Sequence, residues 1–306
     1  MSSRTRHVGV IGLGQMGGGI ARNLDRAELL SGAFDAATET LQSLNISEDV
    51  DTSGLKSLAK VADQIIFVVP SSKEIRACLE GPNGLLKNGQ PGTVFLDFTT
   101  SDPKDSREIA NDVENSGMHY LDCGMSGGAT GADAGQLTLM IGGDEAILDR
   151  CQDLVAAITH PERVFHVGPQ GAGHTLKLLH NMVCHTNFMI LSEACRLAEE
   201  AEIPLQKAID VFNAGNARSL ISEKRFPNHI LSETWDGRSV VSNLHKDLGM
   251  GVAMSREMQR PAIFAGETLK VLKNAIASDL GDTDFTRLYL HFDELMQSRW
   301  ESESEN

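Results

Sequence analysis

The sequence predicts an α/β protein: a doubly wound, mostly parallel sheet in residues 1–168, then an all-α domain in residues 169–306, joined by a long helix. Three observations predict it. Through the first half, short apolar runs alternate with helical patterns and polar turns, as in a parallel sheet covered on both faces. After Gly168 the texture changes to Leu-, Ala- and Met-rich helical patterns with few strand-like runs. Between them, Gly168-Pro169-Gln170-Gly171 breaks the pattern.

Taken in order, the apolar runs are Val8 to Ile11, Ile65 to Val69, Val94 to Leu96, Tyr120 to Leu121 and Leu137 to Ile141. Each is short and bounded by turn residues, which suits a buried strand. A further strand is expected at Gly32-Ala33-Phe34, short and interrupted by glycine. The stretch from about Ala172 to Ala201 holds roughly 30 residues without proline, enough for a helix of about 45 Å at 1.5 Å per residue.

A chain of 306 residues with 41% hydrophobic content can fill real cores. Its formal charge of -15, with no local basic patch, repels phosphate backbones and anionic membranes, so neither nucleic acid nor membrane is an expected partner. The five cysteines, at 78, 123, 151, 184 and 195, show no C-x-x-C spacing, which argues against a metal site and a disulfide framework and for a reducing, cytoplasmic setting. No leader segment is expected ahead of the first strand, no apolar run reaches membrane-spanning length, and the acidic tail ESESEN is expected to be solvated.

Residues 12–17 read GLGQMG, directly between the first strand and a helical pattern. In G-x-G-x-x-G the first glycine permits a tight turn, the second lets a pyrophosphate approach the backbone, and the third lets helix and strand pack closely. Gly12, Leu13, Gly14, Gln15, Met16 and Gly17 are therefore candidate cofactor contacts. Asp35 follows 18 residues after Gly17, at the end of the expected second strand. A carboxylate there accepts from both adenine-ribose hydroxyls and repels a 2′-phosphate, and Ala36 and Ala37 bring no arginine to receive one, so NAD is favoured over NADP. The competing reading is a packing glycine loop beside a surface aspartate.

Four ordered blocks resemble the β-hydroxyacid dehydrogenases, of the 3-hydroxyisobutyrate dehydrogenase and tartronate semialdehyde reductase kind: VGVIGLGQMGGGIARNL, DCGMSGGATGADAGQLTLMIGG, GAGHTLKLLHNMV and HKDLGM. The resemblance implies a Rossmann-type domain followed by a helical domain like that of 6-phosphogluconate dehydrogenase. It also implies an NAD-dependent oxidoreductase interconverting a small 3-hydroxy acid and its semialdehyde or 3-oxo acid. Alternatives are an NADPH-dependent semialdehyde or imine reductase of the same architecture and a non-catalytic nucleotide-sensing protein; the imine-reducing branch lacks the lysine retained here as Lys177.

Such an oxidation needs a hydride acceptor and a base for the hydroxyl proton. The match G-x-G-x-x-x-K-x-x-x-N implies Lys177 as that base, though an ordinary exposed helix lysine is the alternative. A lysine, near 10.4 when unperturbed, must be desolvated or set near other cations to act near neutral pH. Asn181, four residues on and hence on the same helical face, is implied to orient substrate and lysine; His180 points about 100° away and is read as structural. Ser126, Gly127 and Gly128, in a turn after the strand through Asp122, are implied to grip the substrate carboxylate.

By the same resemblance Val69, Pro70 and Thr100 line the cofactor, and Lys246 reaches cofactor or substrate. Asp247 is read as a helix-dipole or structural partner. Ser219 matches a frequently polar pocket position. Two departures bear on the pocket. Cys123-Gly124-Met125 stands where the family usually has Ala-Pro-Val, losing a proline that stiffens the turn, and Arg238-Ser239 stands where an aromatic wall is usual, so a roomier, more polar pocket is expected. Arg238 either faces inward to pair with a second substrate anion or is a solvated surface charge. Leu176, Leu179, Met182, Val183, Phe188, Met189 and Leu191 on the long helix exceed what one small domain can cover, so a homodimer or homotetramer is expected.

Overall fold

The computed structural model describes residues 7–297, so the acidic tail lies outside the described residues. The chain divides into two units, one ending at Lys177 and one beginning at Leu178. The first runs β1 (Val8–Ile11), α1 (Gln15–Arg26), β2 (Leu30–Phe34), α2 (Thr38–Ser43), α3 (Leu55–Val61), β3 (Gln64–Phe67), α4 (Ser72–Leu79), α5 (Leu85–Asn88), β4 (Val94–Asp97), α6 (Pro103–Asn115), β5 (His119–Ser126), α7 (Gly128–Ala134), β6 (Leu137–Gly142), α8 (Glu145–Asp149), α9 (Gln152–Ile158) and β7 (Thr159–Gly168). It closes with the first turns of α10 (Ala172–Glu200).

The seven strands form one sheet in the order β2-β1-β3-β4-β5-β6-β7. The first five are parallel, β6 runs antiparallel to β5, and β7 runs parallel to β6. Successive side chains point to opposite faces and feed two cores: Val8, Val10, Ile66, Val94, Leu96 and Leu121 enter one, and Ile65, Phe67, Phe95 and Tyr120 the other. Burial on both faces is why these strands read as continuous apolar runs. From β1 the chain goes to β2 on one side and returns to β3 on the other, so the strand order reverses beside β1, where doubly wound sheets bind ligands.

The strands differ from the sequence expectation at several points. Strand β2 begins at Leu30, and β5 continues through Ser126, because its second half pairs with β6 from Asp122↔Gly142 to Ser126↔Thr138. Strand β7 was not anticipated: it is an edge strand, paired among the described residues with β6 alone and largely exposed, so His160, Glu162 and Arg163 hide it from an apolar pattern.

The second unit contains the rest of α10, then α11 (Leu205–Ala214), a π-helix (Ile221–Leu231), α12 (Val241–Glu257), α13 (Ile263–Ala277) and a 3₁₀ turn (Phe285–Tyr289). Phe188 of α10 packs edge-on against Phe285, and Phe226 of the π-helix edge-on against Tyr289, at centroid distances of 5.2 and 5.5 Å. Pro227 lies inside the π-helix, where its missing N–H leaves the Ser222 carbonyl without its i−5 donor; Asn213 Nδ2 donates to that oxygen instead, at 3.1 Å. Among the described residues no helix is long and apolar enough to cross a membrane.

Candidate active site

The glycine turn leaves β1 at Gly12, whose φ of 87° is open to glycine at little cost, and enters α1 through Gly14. A β-carbon on Gly12 would collide with the Val68 carbonyl, and one on Gly17 with the Gly12 carbonyl, so both are fixed by close backbone packing. Gly14 differs: a β-carbon there would meet nothing within 4 Å. It is exposed, and among the described residues no side chain caps the helix it opens. Open space over the N-terminus of α1 fits a pyrophosphate approaching the backbone. Gln15 is exposed beside it, and Met16 packs on the core.

Asp35 follows β2 directly. Its Oδ2 accepts from the Leu13 amide at 2.6 Å and its Oδ1 from the Ala37 amide at 2.8 Å. The carboxylate is thus tied to the glycine turn, with lone pairs to spare on both oxygens. Leu13 contributes only backbone, since its side chain is buried in the core. Across the order reversal, Val69 and Pro70 follow β3, and the Val69 amide donates to Thr99 Oγ1 at 3.2 Å. Thr99 is buried and also donates its amide to Asp97, whereas Thr100 beside it is half-buried.

Lys177 sits half-buried on the second turn of α10, and strand β5 shapes its surroundings. Asp122, Gly124 and Ser126 alternate along β5 and so share one face. Asp122 is fully buried: its Oδ1 accepts from the Gly171 amide at 2.6 Å and Gln170 Nε2 at 3.1 Å, and its Oδ2 from the His174 amide at 2.8 Å. A carboxylate from the sheet therefore caps the helix that carries the lysine. Ser126 is the last residue of β5 rather than part of the turn. The turn begins at Gly127, with φ of 133°, and Gly128, with φ of 63°, opens α7. Gly124 likewise lies within the strand, paired with Met140, so it does not loosen a turn. Nor does it enlarge the pocket, because the stem of Lys177 occupies the space its side chain would take.

Beneath this face lies a polar cluster that the sequence reading missed. His174, fully buried, reaches the Asp97 carbonyl through Nε2 at 3.0 Å, which puts a proton on Nε2, and Ser106 Oγ through Nδ1 at 2.6 Å. Burial pushes the Asp97 carboxyl above the ordinary carboxylate range, opposed by His174 and by hydrogen bonds from Tyr120 and Thr99. Burial and the Asp97 charge likewise push the Tyr120 phenol well up. The signal was present: VFLD and HYLD both end an apolar run in aspartate, and Asp97 and Asp122 are register partners.

In the second unit, Asn181 is buried on α10, and its Nδ2 donates to Asp247 Oδ2 of α12 at 2.9 Å. His180 Nδ1 lies 3.2 Å from Asn181 Oδ1, so its ring turns back toward the amide rather than away. Lys246 Nζ stands 3.5 Å from Asp247 Oδ1. Asn181, Asp247 and Lys246 thus form one cluster, with Asp247 between the other two. Ser219 pairs locally with Ser222. Arg238 is exposed and left-handed, with φ of 60°, and its amide donates to Asp284 Oδ2 at 2.8 Å.

Residues 7–168 match the family described as the NAD binding domain of 6-phosphogluconate dehydrogenase. Residues 171–292 match the one described as NAD-binding of NADP-dependent 3-hydroxyisobutyrate dehydrogenase. A probable mitochondrial 3-hydroxyisobutyrate dehydrogenase of Dictyostelium discoideum is 30% identical over 298 residues, spanning 94% of this chain and 91% of its own. A 2-(hydroxymethyl)glutarate dehydrogenase of Eubacterium barkeri is 27% identical, spanning 91% and 92%. The crystal structure of a 3-hydroxyisobutyrate dehydrogenase from Salmonella typhimurium superposes with a TM-score of 0.82 at 27% identity, covering 93% of this chain and 99% of that one.

Proposed function

The chain belongs to the β-hydroxyacid dehydrogenase family, and from that premise we propose that it interconverts a small 3-hydroxy acid and its semialdehyde or 3-oxo acid, with Lys177 as general acid/base. It is a dehydrogenase acting on CH–OH donors, and its cofactor is NAD. When bound, NAD would supply the hydride acceptor for the carbinol carbon. Asp35 accepts from the two adenine-ribose hydroxyls with the lone pairs that its backbone partners leave, and its charge disfavours a 2′-phosphate.

In the oxidative direction the Lys177 amine takes the hydroxyl proton, and in the reductive direction its ammonium returns it. The Asn181 amide, held by Asp247, orients lysine and substrate. The Ser126 hydroxyl and the Gly127 and Gly128 amides grip the carboxylate, and Lys246 adds a cation near cofactor or substrate. The observation that carries the reading is the shared face of β5, where the stem of Lys177 lies on Gly124 and Ser126 follows two residues on.

For the substrate, Arg238-Ser239 in place of an aromatic wall favours a polar 3-hydroxy acid over 3-hydroxyisobutyrate, by an apolar contact of about 1–3 kcal/mol. A second copy of the chain is the inferred macromolecular partner, giving a dimer or tetramer. Phe188, Met189 and Leu191 of α10 are buried in their own unit, but Leu179, Val183, Ile190 and Leu197 are exposed at 42%, 63%, 56% and 66%, spaced to form one apolar stripe.

The test is NADH absorbance across 3-hydroxy acids and semialdehydes, including hydroxylated and dicarboxylic members, with NAD and NADP compared. No turnover with any of them refutes the proposed reaction. A clear preference for 3-hydroxyisobutyrate refutes the substrate assignment.

A further inference from the structure

Gly124 lies inside β5, hydrogen-bonded in a ladder to β6, and its φ is not in the left-handed region. Nothing in its backbone requires glycine, and glycine weakens a strand interior. The reason for it is space. A β-carbon built on Gly124 would stand 2.5 Å from Lys177 Cβ and 2.8 Å from the Gly173 carbonyl oxygen, closer than the 3.0 Å within which real β-carbons essentially never come.

Neighbouring glycines show how closely α10 lies on the sheet. A β-carbon on Gly173 would collide with the carbonyls of Asp122 and Met140, and one on Gly142 would stand 2.5 Å from Asp122 Oδ1 and 2.9 Å from the Pro169 carbonyl. These two seat the helix backbone, and Asp122 caps its end. Gly124 alone makes room for the stem of Lys177 itself. Gly173 and Lys177 are four residues apart, so the helix face that touches the sheet backbone is the face that carries the lysine.

We propose that Gly124 is a positioning residue: its missing side chain seats Lys177 against β5 and so sets where the amine stands relative to Ser126. The inference rests on the reading of Lys177 as acid/base. With strand and helix spaced as they are in this chain, a side chain at 124 drives the lysine stem off the strand by roughly half an ångström or more, so the proline usual at this position in the family fits only with a wider spacing. A displacement of about 1 Å at a reacting group costs on the order of 10²-fold in rate.

The test uses the full chain with Gly124→Ala, Lys177→Ala, Lys177→Gly and the Gly124→Ala/Lys177→Gly pair. Measured are kcat and KM with the best substrate of the panel, NAD affinity, thermal midpoint, and the pH dependence of Lys177 acylation by acetic anhydride, read by mass spectrometry. Gly124→Ala is expected to lower kcat roughly 10- to 100-fold while NAD affinity stays within about twofold, and to shift the acylation profile of Lys177. Its thermal midpoint is expected to fall less when residue 177 is glycine, because the Cβ contact is then absent.

Wild-type kcat and acylation in a folded Gly124→Ala protein overturn the proposal, as does an equal midpoint loss in both backgrounds. Should Gly124→Ala not fold, recovery of folding in the double variant supports the proposal, and failure of both overturns it. Full turnover by Lys177→Ala removes the acid/base reading alone, since acylation and the midpoint comparison still decide the role of Gly124.

Discussion

Replacing Asp122 by alanine tests how the lysine-bearing helix is held. The carboxylate accepts from two buried backbone amides, Gly171 and His174, and from the Gln170 side chain. Gln170 can turn to water, but the two amides cannot. Each unpaired buried amide costs about 1–3 kcal/mol, and loss of a negative charge at a helix N-terminus adds up to about 2 kcal/mol that overlaps with it. Release of a desolvated charge offsets part of this, leaving a net loss of roughly 3–4 kcal/mol. For a unit of this size each kcal/mol lowers the midpoint by about 2–4 °C, so scanning calorimetry should show a fall of roughly 6–16 °C. Asp122→Asn, which keeps one acceptor and turns an NH₂ toward the other amide, should fall between. A midpoint for Asp122→Ala within about 2 °C of wild type would mean that the carboxylate does not hold the helix.

Asp35→Ala should weaken NAD binding at least about tenfold, the scale of losing hydrogen bonds to a charged group, and narrow the difference from NADP; unchanged NAD affinity by calorimetry removes Asp35 from the cofactor site. Asp97 offers a pH test. Its folded carboxyl titrates above the unfolded one, so its contribution to stability is full below the ordinary carboxylate range and is lost as pH rises through the raised value. The thermal midpoint of wild type relative to Asp97→Asn should therefore be more favourable near pH 4 than near pH 8, and a pH-independent difference contradicts the assignment. Val183→Glu, on the exposed stripe of α10, should reduce the mass seen by light scattering at micromolar concentration; a wild-type protein that is already monomeric refutes the oligomer.

What the sequence determined by itself is what local chemistry encodes. The turn from Gly12 to Gly17, Asp35 at the end of the next strand, the alternation of strands with helices and the long helix all depend on residues close together along the chain. Their periods and spacings survive in one dimension. The resemblance carried Lys177, Asn181 and Ser126 by position in four ordered blocks.

The tertiary structure alone decided how those residues are held. Asp122 meets Gly171 across 49 positions, Asn181 meets Asp247 across 66, and His174 meets Asp97 across 77; no local pattern specifies such pairs, because sheet register and helix packing select them. Gly124 shows the difference most directly. In the sequence it is a missing proline before a turn, and in the fold it is a strand residue whose empty side is filled by Lys177. Steric space depends on what arrives from elsewhere in the chain, so only packing shows why a glycine stands there.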